Sequence, residues 1–416
     1  MGDFVFTSES VTEGHPDKLC DRISDAVLDE VLSHDPKGRV ACECFVKGSL
    51  VIVGGEITTS HQFDLEGVVR EAILSVGYDA PEKGMDGRSC GILSLLSRQS
   101  PDIAQGVEQS YEVRNGSPDP LDRLGAGDQG IMFGYACRET EVALETERPI
   151  LMPLPIFLAH RLARRLAWVR KQGLLTYLRP DGKTQVCVRY EQGRPVEVNR
   201  VLISAQHDES VGEVEKMWEP ILELVVLPSI PDRLRPQGGF GRENLLINPT
   251  GRFVVGGPQA DSGLTGRKVI MDTYGGTSRH GGGAFSGKDP TKVDRSATYY
   301  CRYVAKNLVA AGVADRLELQ VSYAIGRAKP FSIHVETFGT QRVGVERIEQ
   351  MLMEGGIFDF RPAAMIEELG LTQVRYAPIS AYGHLGREDM ELPWERLDKV
   401  EEVQQALNIR ASVAGA

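Results

Sequence analysis

The sequence predicts an α+β protein made of three similar domains. The first observation behind this prediction is an order of elements that occurs three times, a helical segment followed by two β-rich runs, at a spacing of roughly 140 residues. The second is that the paired β-rich runs are separated by short turns, which favours antiparallel hairpins and disfavours a parallel sheet. We therefore expect each domain to be an antiparallel sheet with helices on one face. The alternative is ordinary alternation of helices and strands without true symmetry.

The first copy begins with a helix expected at 17–33, where apolar residues recur at every fourth position and a turn at 35–38 ends the pattern. Two β-rich runs follow at 39–46 and 49–59, and an amphipathic segment at 64–76 completes the copy. The other two copies keep this order, with helices expected at 155–171 and 293–311 and β-rich runs at 184–190, 195–206, 317–325 and 331–338.

The composition of the chain excludes several classes of function. A net charge of −11 over 416 residues makes a general electrostatic attraction to nucleic acid or to an anionic membrane unfavourable. The seven cysteines are scattered without a CxxC pair, so neither a structural zinc site nor a disulfide framework is indicated. The sequence also lacks a secretory signal pattern and an apolar run of the roughly 20 residues that a membrane span needs. We expect a cytoplasmic protein with reduced thiols and no nucleic-acid or membrane partner.

The strongest local signal for chemistry is a glycine-rich loop. Residues 282–288 fit the GxxxxGK pattern, in which successive backbone N–H groups face an anion and a lysine adds a full charge. Asp289 is predicted to be the N-cap of the next helix and Pro290 its first residue, which would point the positive helix end at the anion. Because Asp289 replaces the Ser or Thr that binds magnesium in nucleoside triphosphatases, we interpret the loop as a phosphate-binding loop of another kind. A simple glycine-rich turn is the alternative.

Two further segments carry candidate features. Asp17, Asp21, Asp25 and Asp29 recur at every fourth position of the first helix, and this spacing alone predicts a solvated acidic helix face. Residues 99–124 are polar and contain glycines and prolines, and a loop of this length in a compact domain is typical of a lid, a binding loop or a disordered segment.

Three stretches together resemble the S-adenosylmethionine synthetase family: GHPDK at 14–18, GAGDQG at 125–130 and GGGAFSGKD at 281–289. The resemblance extends from about Phe4 to about Trp394. It implies three similar α+β domains related by pseudo-threefold symmetry, which agrees with the repeat. We accordingly place the domains at 1–101, 125–246 and 247–416, with the phosphate loop in the last of them and a flexible lid loop at 102–124.

The resemblance implies an activity, the synthesis of S-adenosylmethionine from ATP, L-methionine and water with release of pyrophosphate and phosphate. The methionine sulfur attacks C5′ of the ribose and displaces the triphosphate, which is cleaved before release. Sulfur attacks as a neutral atom, so the first step needs no general base, and alignment together with neutralisation of the triphosphate lowers the barrier. His15, Arg267, Lys288 and magnesium are expected to provide that neutralisation.

Roles for individual residues are carried over only where this sequence matches the motifs of the family. The ATP-binding set is expected to be His15, Asp181, Lys183, Arg252, Phe253, Asp261, Arg267, Lys268, Ala284 and Lys288, with Phe253 stacking on adenine. The expected catalytic members of this set are His15, Lys183, Arg267 and Lys288. The expected methionine-binding residues are Glu56, Gln99, Asp128, Asp261 and Lys292.

The same resemblance implies cofactors and partners. Asp17 and Asp294 are expected to bind magnesium, with two ions per site, and Glu43 is expected to bind potassium. Members of the family are homodimers or dimers of dimers whose active sites are built from both subunits of a dimer, and we expect such a homo-oligomer here. Two alternatives remain, a catalytically silent ATP-binding homologue with a regulatory role and an ATPase that uses the phosphate loop.

Overall fold

The computed structural model describes residues 2–99, 109–144 and 149–409. Its α-helices, labelled α1 to α13 in chain order, are Pro16–His34, Leu65–Val76, Tyr111–Arg114, Glu139–Ala143, Leu154–Lys171, Trp218–Ile221, Leu227–Ser229, Gly257–Ala260, Val269–Asp272, Val293–Ala310, Val345–Glu354, Pro362–Glu368 and Val400–Leu407. Its strands, labelled β1 to β13, are Phe4–Val11, Arg39–Lys47, Leu50–Thr58, Asp79–Ala80, Met85–Asp86, Gly91–Ser97, Gly130–Cys137, Leu178–Glu191, Arg194–His207, Leu245–Ile247, Gly263–Leu264, Arg316–Tyr323 and Ser332–Glu336. In this part of the chain, no helix combines the length and the apolar character that a membrane span requires.

The chain forms two compact units. The first comprises Met1–Ser97, Leu154–Gly276 and Arg375–His384, and the second comprises Arg98–Pro153, Thr277–Val374 and Leu385–Ala416. Each unit therefore draws on separate stretches of the chain. This division does not test the contiguous boundaries predicted above for the three domains and the lid, which stay a prediction.

The predicted repeat of a helix followed by a β-hairpin is confirmed in all three copies. Helices α1, α5 and α10 precede the hairpins β2–β3, β8–β9 and β12–β13, and each hairpin is antiparallel. The three leading helices begin at Pro16, Leu154 and Val293, which is within one residue of the predicted starts. Helix starts were predictable because proline and the onset of apolar periodicity are local signals.

The first unit contains two four-stranded sheets that are mixed rather than purely antiparallel. Their strand orders are β11-β2-β3-β6 and β1-β8-β9-β10. Strand β6 pairs in parallel with β3, and β10 pairs in parallel with β9. Parallel neighbours need a crossover connection, and helical segments lie between the strands of both pairs. The prediction of antiparallel pairing is therefore confirmed for the hairpins β2–β3 and β8–β9 and is wrong for the strand pairs β3–β6 and β9–β10.

The predicted placement of helices on one face holds for the sheet that contains β2 and β3. Burial alternates along β2, where Val40, Cys42, Cys44 and Val46 are buried and the residues between them are not. Helix α1 supplies the apolar cover, because it packs on β2 and its predicted apolar row is fully buried, and α2 packs against α1. The opposite face of this sheet carries the exposed residues of the strands, as period-two alternation requires.

The second unit contains a three-stranded antiparallel sheet in the order β13-β12-β7, with helix α10 packed against β7. The packing is close, since a Cβ at Gly134 of β7 would lie 2.1 Å from the carbonyl oxygen of Cys301 in α10. Nearly every residue of α10 is buried, including the charged Arg302 and Lys306. This helix is thus the central element of the unit.

A buried ion cluster joins α10 to the segment after 385. Glu395 accepts hydrogen bonds from Arg302 at 2.9 and 3.1 Å and from Lys306 at 2.8 Å. Burial alone would raise the pKa of Glu395, but the two cations outweigh burial and lower this pKa to about 2. The pKa of Glu395 is thus lower in the folded chain than the ordinary value of 4.5 expected in the unfolded chain. The ionised carboxylate therefore stabilises the fold at pH values above 4.5, and this stabilisation is lost as the pH falls towards 2.

We expect Glu395→Gln to lower the free energy of unfolding by about 3–5 kcal/mol at pH 7, because it leaves two buried cations without their counter-ion. The deficit should shrink as the pH falls from about 4.5 to about 2, where the wild-type carboxylate is lost as well. Urea denaturation followed by circular dichroism measures the effect. Glu66→Gln is the control, because Glu66 forms an exposed ion pair with Arg70 and should change stability by no more than about 1 kcal/mol. Equal effects of the two variants would contradict the prediction.

The predicted lid at 102–124 is only partly described, because residues 100–108 lie outside the described part of the chain. The part from 109 to 124 contains helix α3 and is tied to the second unit. Arg361 donates hydrogen bonds of 2.6 and 2.8 Å to Asp119 and Asp122. These bonds restrain the C-terminal half of the predicted lid, and the flexibility of the segment stays a prediction.

Candidate active site

The first cluster of expected site residues lies in the first unit, at the N-terminus of helix α1. Pro16 occupies the first helical turn, and His15 before it is the N-cap, whose Nδ1 accepts a hydrogen bond of 3.2 Å from the N–H of Asp17. Gly14 precedes the cap, where a Cβ would lie 2.3 Å from the carbonyl group of Pro180. The local sequence therefore fixes His15 and Asp17 side by side at the positive end of the helix.

Asp17 is the centre of this cluster. Its Oδ2 lies 2.5 Å from Nζ of Lys268, and its Oδ1 accepts a hydrogen bond of 3.0 Å from the N–H of Leu264 and lies 3.8 Å from Arg267. Burial alone would raise the pKa of Asp17, but the hydrogen bonds from Lys268 and Leu264 outweigh burial and hold this pKa below its usual value. The carboxylate is therefore charged, and it offers the hard oxygen donors that magnesium prefers.

The expectation that His15 neutralises a triphosphate as a cation disagrees with its surroundings. The ring is buried, and burial together with the charge of Lys268 lowers the pKa of His15 to about 3. Asp17 acts in the opposite direction but does not compensate. Among these protein groups His15 is therefore neutral near pH 7, and its ring can donate a hydrogen bond to a bound anion.

Two more expected ATP-site residues act electrostatically on His15. Lys183 lowers the pKa of His15, and Asp261 raises it. Lys183 lies on β8 opposite Val11 of β1, and Asp261 ends the short helix α8. The first unit therefore brings together six of the expected residues, namely His15, Asp17, Lys183, Asp261, Arg267 and Lys268.

Asp181, two residues before Lys183, is a buried carboxyl group on the same strand. Its Oδ2 accepts a hydrogen bond of 2.9 Å from the N–H of Gly257, and its Oδ1 has no hydrogen-bond partner within the described part of the chain. Burial raises the pKa of Asp181 to about 6, although Gly257 and Lys183 act to lower it. Holding this carboxylate charged near pH 7 therefore costs stability, which is common at functional sites.

We expect Asp181→Asn to raise the free energy of unfolding at pH 8 by about 1–3 kcal/mol, because the amide removes a buried charge. The wild-type pKa is raised from 3.8 to about 6, so the stabilisation that protonated Asp181 provides is complete below pH 3.8 and is lost as the pH rises through 6. The gain should vanish at pH 4. Urea denaturation at both pH values is the measurement, with the exposed Asp232→Asn as the control. If the variant is less stable than the wild type at pH 8, the prediction is wrong. The hydrogen bond from Gly257 to the charged carboxylate would then stabilise the fold by more than the burial of that charge destabilises it.

The structure contradicts the prediction of a solvated acidic face on α1. Asp17, Asp21, Asp25 and Asp29 are all buried. Asp29 accepts hydrogen bonds of 2.7 and 2.9 Å from the backbone of residues 376 and 377. Backbone N–H groups satisfy Asp29, and backbone N–H groups together with lysines satisfy Asp17 and Asp21.

Asp21 is a supporting residue that the sequence analysis missed. It accepts hydrogen bonds of 2.8 Å from the N–H of Gly266 and 2.9 Å from Nζ of Lys18, and Lys18 also pairs with Asp272. Asp17, one turn earlier in α1, binds the same segment at Leu264, so Asp21 helps to fasten residues 263–268, which carry Arg267 and Lys268. The i,i+4 spacing of the acids was the available signal, but the spacing alone does not distinguish a buried face from a solvated one.

Four other expected residues of the first unit lie outside this cluster. Arg252 is exposed and paired with Glu209, while the backbone N–H and carbonyl of Phe253 bond to His207. Glu43 and Glu56 are exposed on the open face of the β2–β3 hairpin. The substrate or potassium roles of these residues stay predictions.

The glycine-rich loop of the second unit leads into helix α10, but not in the predicted way. Helix α10 begins at Val293 with Lys292 as its N-cap, so the prediction that Asp289 caps the helix and Pro290 starts it is wrong. Asp289 is buried, and its Oδ1 accepts hydrogen bonds of 2.9 and 2.6 Å from the N–H and hydroxyl of Thr291. The Asp-Pro pair therefore forms a turn before the helix. This role suits Asp and Pro as well as the predicted roles of N-cap and first helical residue would.

Lys288 at the end of the loop is paired with Asp294 in the first turn of α10. Nζ of Lys288 lies 2.5 Å from Oδ2 of Asp294. A Cβ at Gly283 would lie 2.2 Å from Oδ1 of the same carboxylate, so only glycine lets the loop approach this closely. Arg295 donates a hydrogen bond of 2.9 Å to the carbonyl of Lys288. The expected phosphate ligand and the expected magnesium ligand are thus held together.

The other expected residues of the second unit lie near this turn or before it. Nζ of Lys292 is 2.7 Å from Oδ2 of Asp289. The GAGDQG segment runs alongside, because a Cβ at Gly127 would lie 3.3 Å from the carbonyl oxygen of Thr291, and Asp128 next to it is exposed. Ala284 and Gln99 are half-buried, in the loop and at the start of the unit respectively.

Comparison with known proteins agrees with the resemblance. Models of the S-adenosylmethionine synthetase N-terminal, central and C-terminal domains match residues 3–101, 123–253 and 255–396. The S-adenosylmethionine synthase of Desulforudis audaxviator is 56% identical over 98% of this chain and 99% of its own length. The corresponding values are 55%, 98% and 100% for the synthase of Petrotoga mobilis, and 54%, 97% and 98% for that of Mycobacterium marinum.

These matches cover all three domains and include both clusters of charged residues. They confirm the predicted family and the three-domain α+β organisation. The chain belongs to the S-adenosylmethionine synthetase family.

Proposed function

We propose that this chain synthesises S-adenosylmethionine from ATP and L-methionine. The bond between C5′ of the ribose and the triphosphate oxygen breaks as the methionine sulfur bonds to C5′, and water then splits the triphosphate into pyrophosphate and phosphate. The observation that carries the proposal is the cluster at the N-terminus of α1, where Lys268 and Arg267 surround Asp17 beside the neutral ring of His15. Such an arrangement suits a polyphosphate whose charge must be balanced while the sulfur attacks.

The chain's own residues would bind and orient the triphosphate. Arg267 and Lys183 have exposed side chains that can reach a bound anion, and Lys288 adds a charge at the end of the glycine-rich loop. His15 would donate a hydrogen bond without adding charge. Because the sulfur is neutral, no residue has to remove a proton in the first step, and the rate gain comes from alignment and charge stabilisation.

Magnesium and potassium are the cofactors that we assign to this reaction. Asp17 and Asp294 would hold two magnesium ions per site. Both are carboxylates, which magnesium prefers as ligands, and each already holds a positive charge, that of a lysine, at 2.5 Å. Magnesium would supply charge that stabilises the leaving triphosphate. Glu43, exposed on β2, would hold potassium.

The remaining ATP-binding and methionine-binding roles form part of the same proposal. Asp181, Arg252, Phe253, Asp261 and Ala284 would complete the ATP site, with Phe253 stacking on adenine. The methionine site would be formed by Glu56, Gln99, Asp128, Asp261 and Lys292. Support comes from the motif matches and, for Asp181 and Asp261, from their position near Lys183 and His15.

A synthesis assay tests the proposed reaction. The purified chain is incubated with ATP, methionine, magnesium and potassium, and S-adenosylmethionine is separated and quantified together with pyrophosphate and phosphate. Equal amounts of the three products support the proposal. ATP hydrolysis that is independent of methionine and yields no sulfonium product would overturn it in favour of an ATPase, and ATP binding without turnover would favour the silent homologue.

A second copy of this chain is the partner that we propose, in a dimer or a dimer of dimers with active sites at the dimer interface. The open face of the β2-β3-β6 sheet carries an apolar row in which Phe45, Ile52 and Leu93 are neighbours in register. Leu95, beside this row, is 61% exposed. Exposed apolar surface of this kind marks interaction sites. Glu43 lies in the same row as Leu95, so an interface here would place an expected site residue between subunits.

We expect Leu95→Glu to weaken the dimer at least about 100-fold, because a charge would be buried at an apolar contact. Light scattering coupled to size exclusion should give at least twice 45.7 kDa for the wild type and a mass approaching 45.7 kDa for the variant. Met353→Glu is the matched control, because Met353 is 59% exposed on a helix of the second unit. An active wild-type monomer, or an unchanged mass for the Leu95 variant, would contradict the interface.

We also propose a cytoplasmic location without nucleic-acid or membrane partners. All seven cysteines are free thiols, and six of them are buried. Unpaired cysteines suit a reducing compartment. The net charge of −11 disfavours polyanionic partners.

A further inference from the structure

Two histidines and a glutamate converge on the surface of the first unit. Glu30 and His34 lie one turn apart at the end of α1, and His61 lies in the loop between β3 and α2. Oε1 of Glu30 is 2.9 Å from Nε2 of His61 and 3.5 Å from Nδ1 of His34. In residues 2–99, 109–144 and 149–409, this is the one group of metal-ligating side chains that offers three ligand atoms within 4.8 Å of one another.

The loop that carries His61 is held in place by its own hydrogen bonds. Oδ2 of Asp35, the residue after α1, accepts bonds of 2.8 Å from the hydroxyl of Thr59 and 2.9 Å from the N–H of Ser60. The N–H of His61 in turn donates a bond of 3.0 Å to the hydroxyl of Thr59. The hydrogen bonds from Ser60 and Thr59 lower the pKa of Asp35 to about 2. The two parts of the cluster are therefore positioned before any ligand arrives, which reduces the cost of binding.

The spacing of the three side chains fits a small, tetrahedral transition-metal ion. Ligands about 2.1 Å from zinc in tetrahedral geometry lie about 3.4 Å from one another. Nε2 of His61 lies 2.9 Å from Oε1 of Glu30, which is close to this value. Nδ1 of His34 lies 3.5 Å from Oε1 and 3.0 Å from the carbonyl oxygen of Glu30, so zinc would have to replace that backbone contact or use the other ring nitrogen. The rings of His34 and His61 are stacked 4.0 Å apart, and small rotations about the soft Cβ–Cγ bonds would turn their nitrogens towards a shared ion.

The geometry points to a zinc-binding site formed by Glu30, His34 and His61, with water completing the coordination. Two imidazoles and one carboxylate make a donor set that zinc uses with an open fourth position, whereas magnesium prefers oxygen ligands alone. The site is separate from the proposed magnesium ligand Asp17, because 13 residues of helix correspond to roughly 20 Å. Since the ion would join the end of α1 to the loop after β3, occupancy should also stabilise the first unit.

Zinc titration of the full chain tests this site. The protein carries no affinity tag, is freed of metal by chelation and is titrated with zinc chloride by calorimetry in excess magnesium without ATP. One zinc should bind per chain, and cobalt at the same site should give the visible absorption of a tetrahedral complex. We expect His34→Ala and His61→Ala each to weaken zinc binding at least about 10-fold, and the double variant to abolish it.

The matched control is His334→Ala. His334 is an exposed histidine 3.0 Å from Glu349, so it forms the same kind of His–Glu pair, and within the described residues this pair belongs to no group of three metal-ligating side chains. Unchanged zinc binding in this variant, with the loss confined to the His34 and His61 variants, supports the site. Absence of zinc binding by the wild type, zinc retained by the double variant, or equal loss in the His334 variant would overturn it. Circular dichroism of each variant excludes unfolding as the cause of a loss.

Discussion

Replacing Lys288 by methionine is expected to lower the rate of S-adenosylmethionine formation at least about 100-fold while the fold remains intact. Methionine keeps the length and the apolar stem of the lysine side chain but removes its charge. Loss of one preorganised electrostatic contact to a developing anion typically reduces turnover by about 10²- to 10³-fold. Because the lost pair with Asp294 is partly exposed, its contribution to stability should be no more than about 1 kcal/mol.

The measurement is turnover at saturating ATP, methionine and magnesium, with thermal unfolding as the test of the fold. Lys216→Met is the matched control, because Lys216 forms an exposed pair with Glu213 and lies outside both charged clusters. A folded Lys288 variant with wild-type turnover would show that the glycine-rich loop does not assist departure of the triphosphate. If the variant unfolds at the assay temperature, the loss of turnover would instead result from the lost stability of the Lys288–Asp294 pair.

The parts of the fold that could be predicted are those with local causes. The starts of α1, α5 and α10 and the three hairpins follow from periodicity, proline and short turns in adjacent residues. The composition of the sheets could not be predicted in this way. Strand β1 pairs with β8, about 180 positions later, and β7 pairs with β12, which lies after helix α10. Such pairings depend on which apolar faces meet in the folded chain, and hydrophobic patterning within a strand does not specify its neighbour.

The candidate site divides in the same manner. The lysine at the end of the GxxxxGK pattern and the histidine–proline–aspartate start of α1 were visible as motifs, and both lie in clusters of charged residues. The burial of the acids along α1 was not visible, because most of the donors identified for them are far away in sequence. Gly266, for example, lies 245 positions after Asp21. The neutral state of His15 was missed for the same reason, since it results from burial and from Lys268.

The two clusters share one electrostatic arrangement. In each, an expected magnesium ligand lies 2.5 Å from a lysine of the expected ATP-binding set, as Asp17 does with Lys268 and Asp294 does with Lys288. The lysine balances the carboxylate while ATP and magnesium are absent. If these residues have the roles proposed above, binding of magnesium and triphosphate would exchange the partners within each pair, so that the carboxylate faces the metal and the lysine faces phosphate.

Replacing Asp17 by asparagine is therefore expected to reduce turnover at least about 100-fold and to raise the magnesium concentration for half-maximal rate at least about 10-fold. The amide keeps the size of the side chain and can still accept the hydrogen bond from Leu264, but it removes the negative charge that a hard cation requires. It also leaves Lys268 without a counter-ion, which should strengthen the attraction for ATP alone. The expected pattern is thus weaker use of magnesium together with unchanged or tighter binding of metal-free ATP.

Magnesium titration of the rate, paired with calorimetry of ATP binding in a chelator, distinguishes this role from a structural one. Asp29→Asn is the matched control, because Asp29 is a buried acid of the same helix that accepts hydrogen bonds from the backbone N–H groups of residues 376 and 377. The control should lower stability without moving the magnesium midpoint. If Asp17→Asn leaves that midpoint unchanged and behaves like the Asp29 variant, then Asp17 serves only to fasten residues 263–268 to α1, and the magnesium must be held elsewhere.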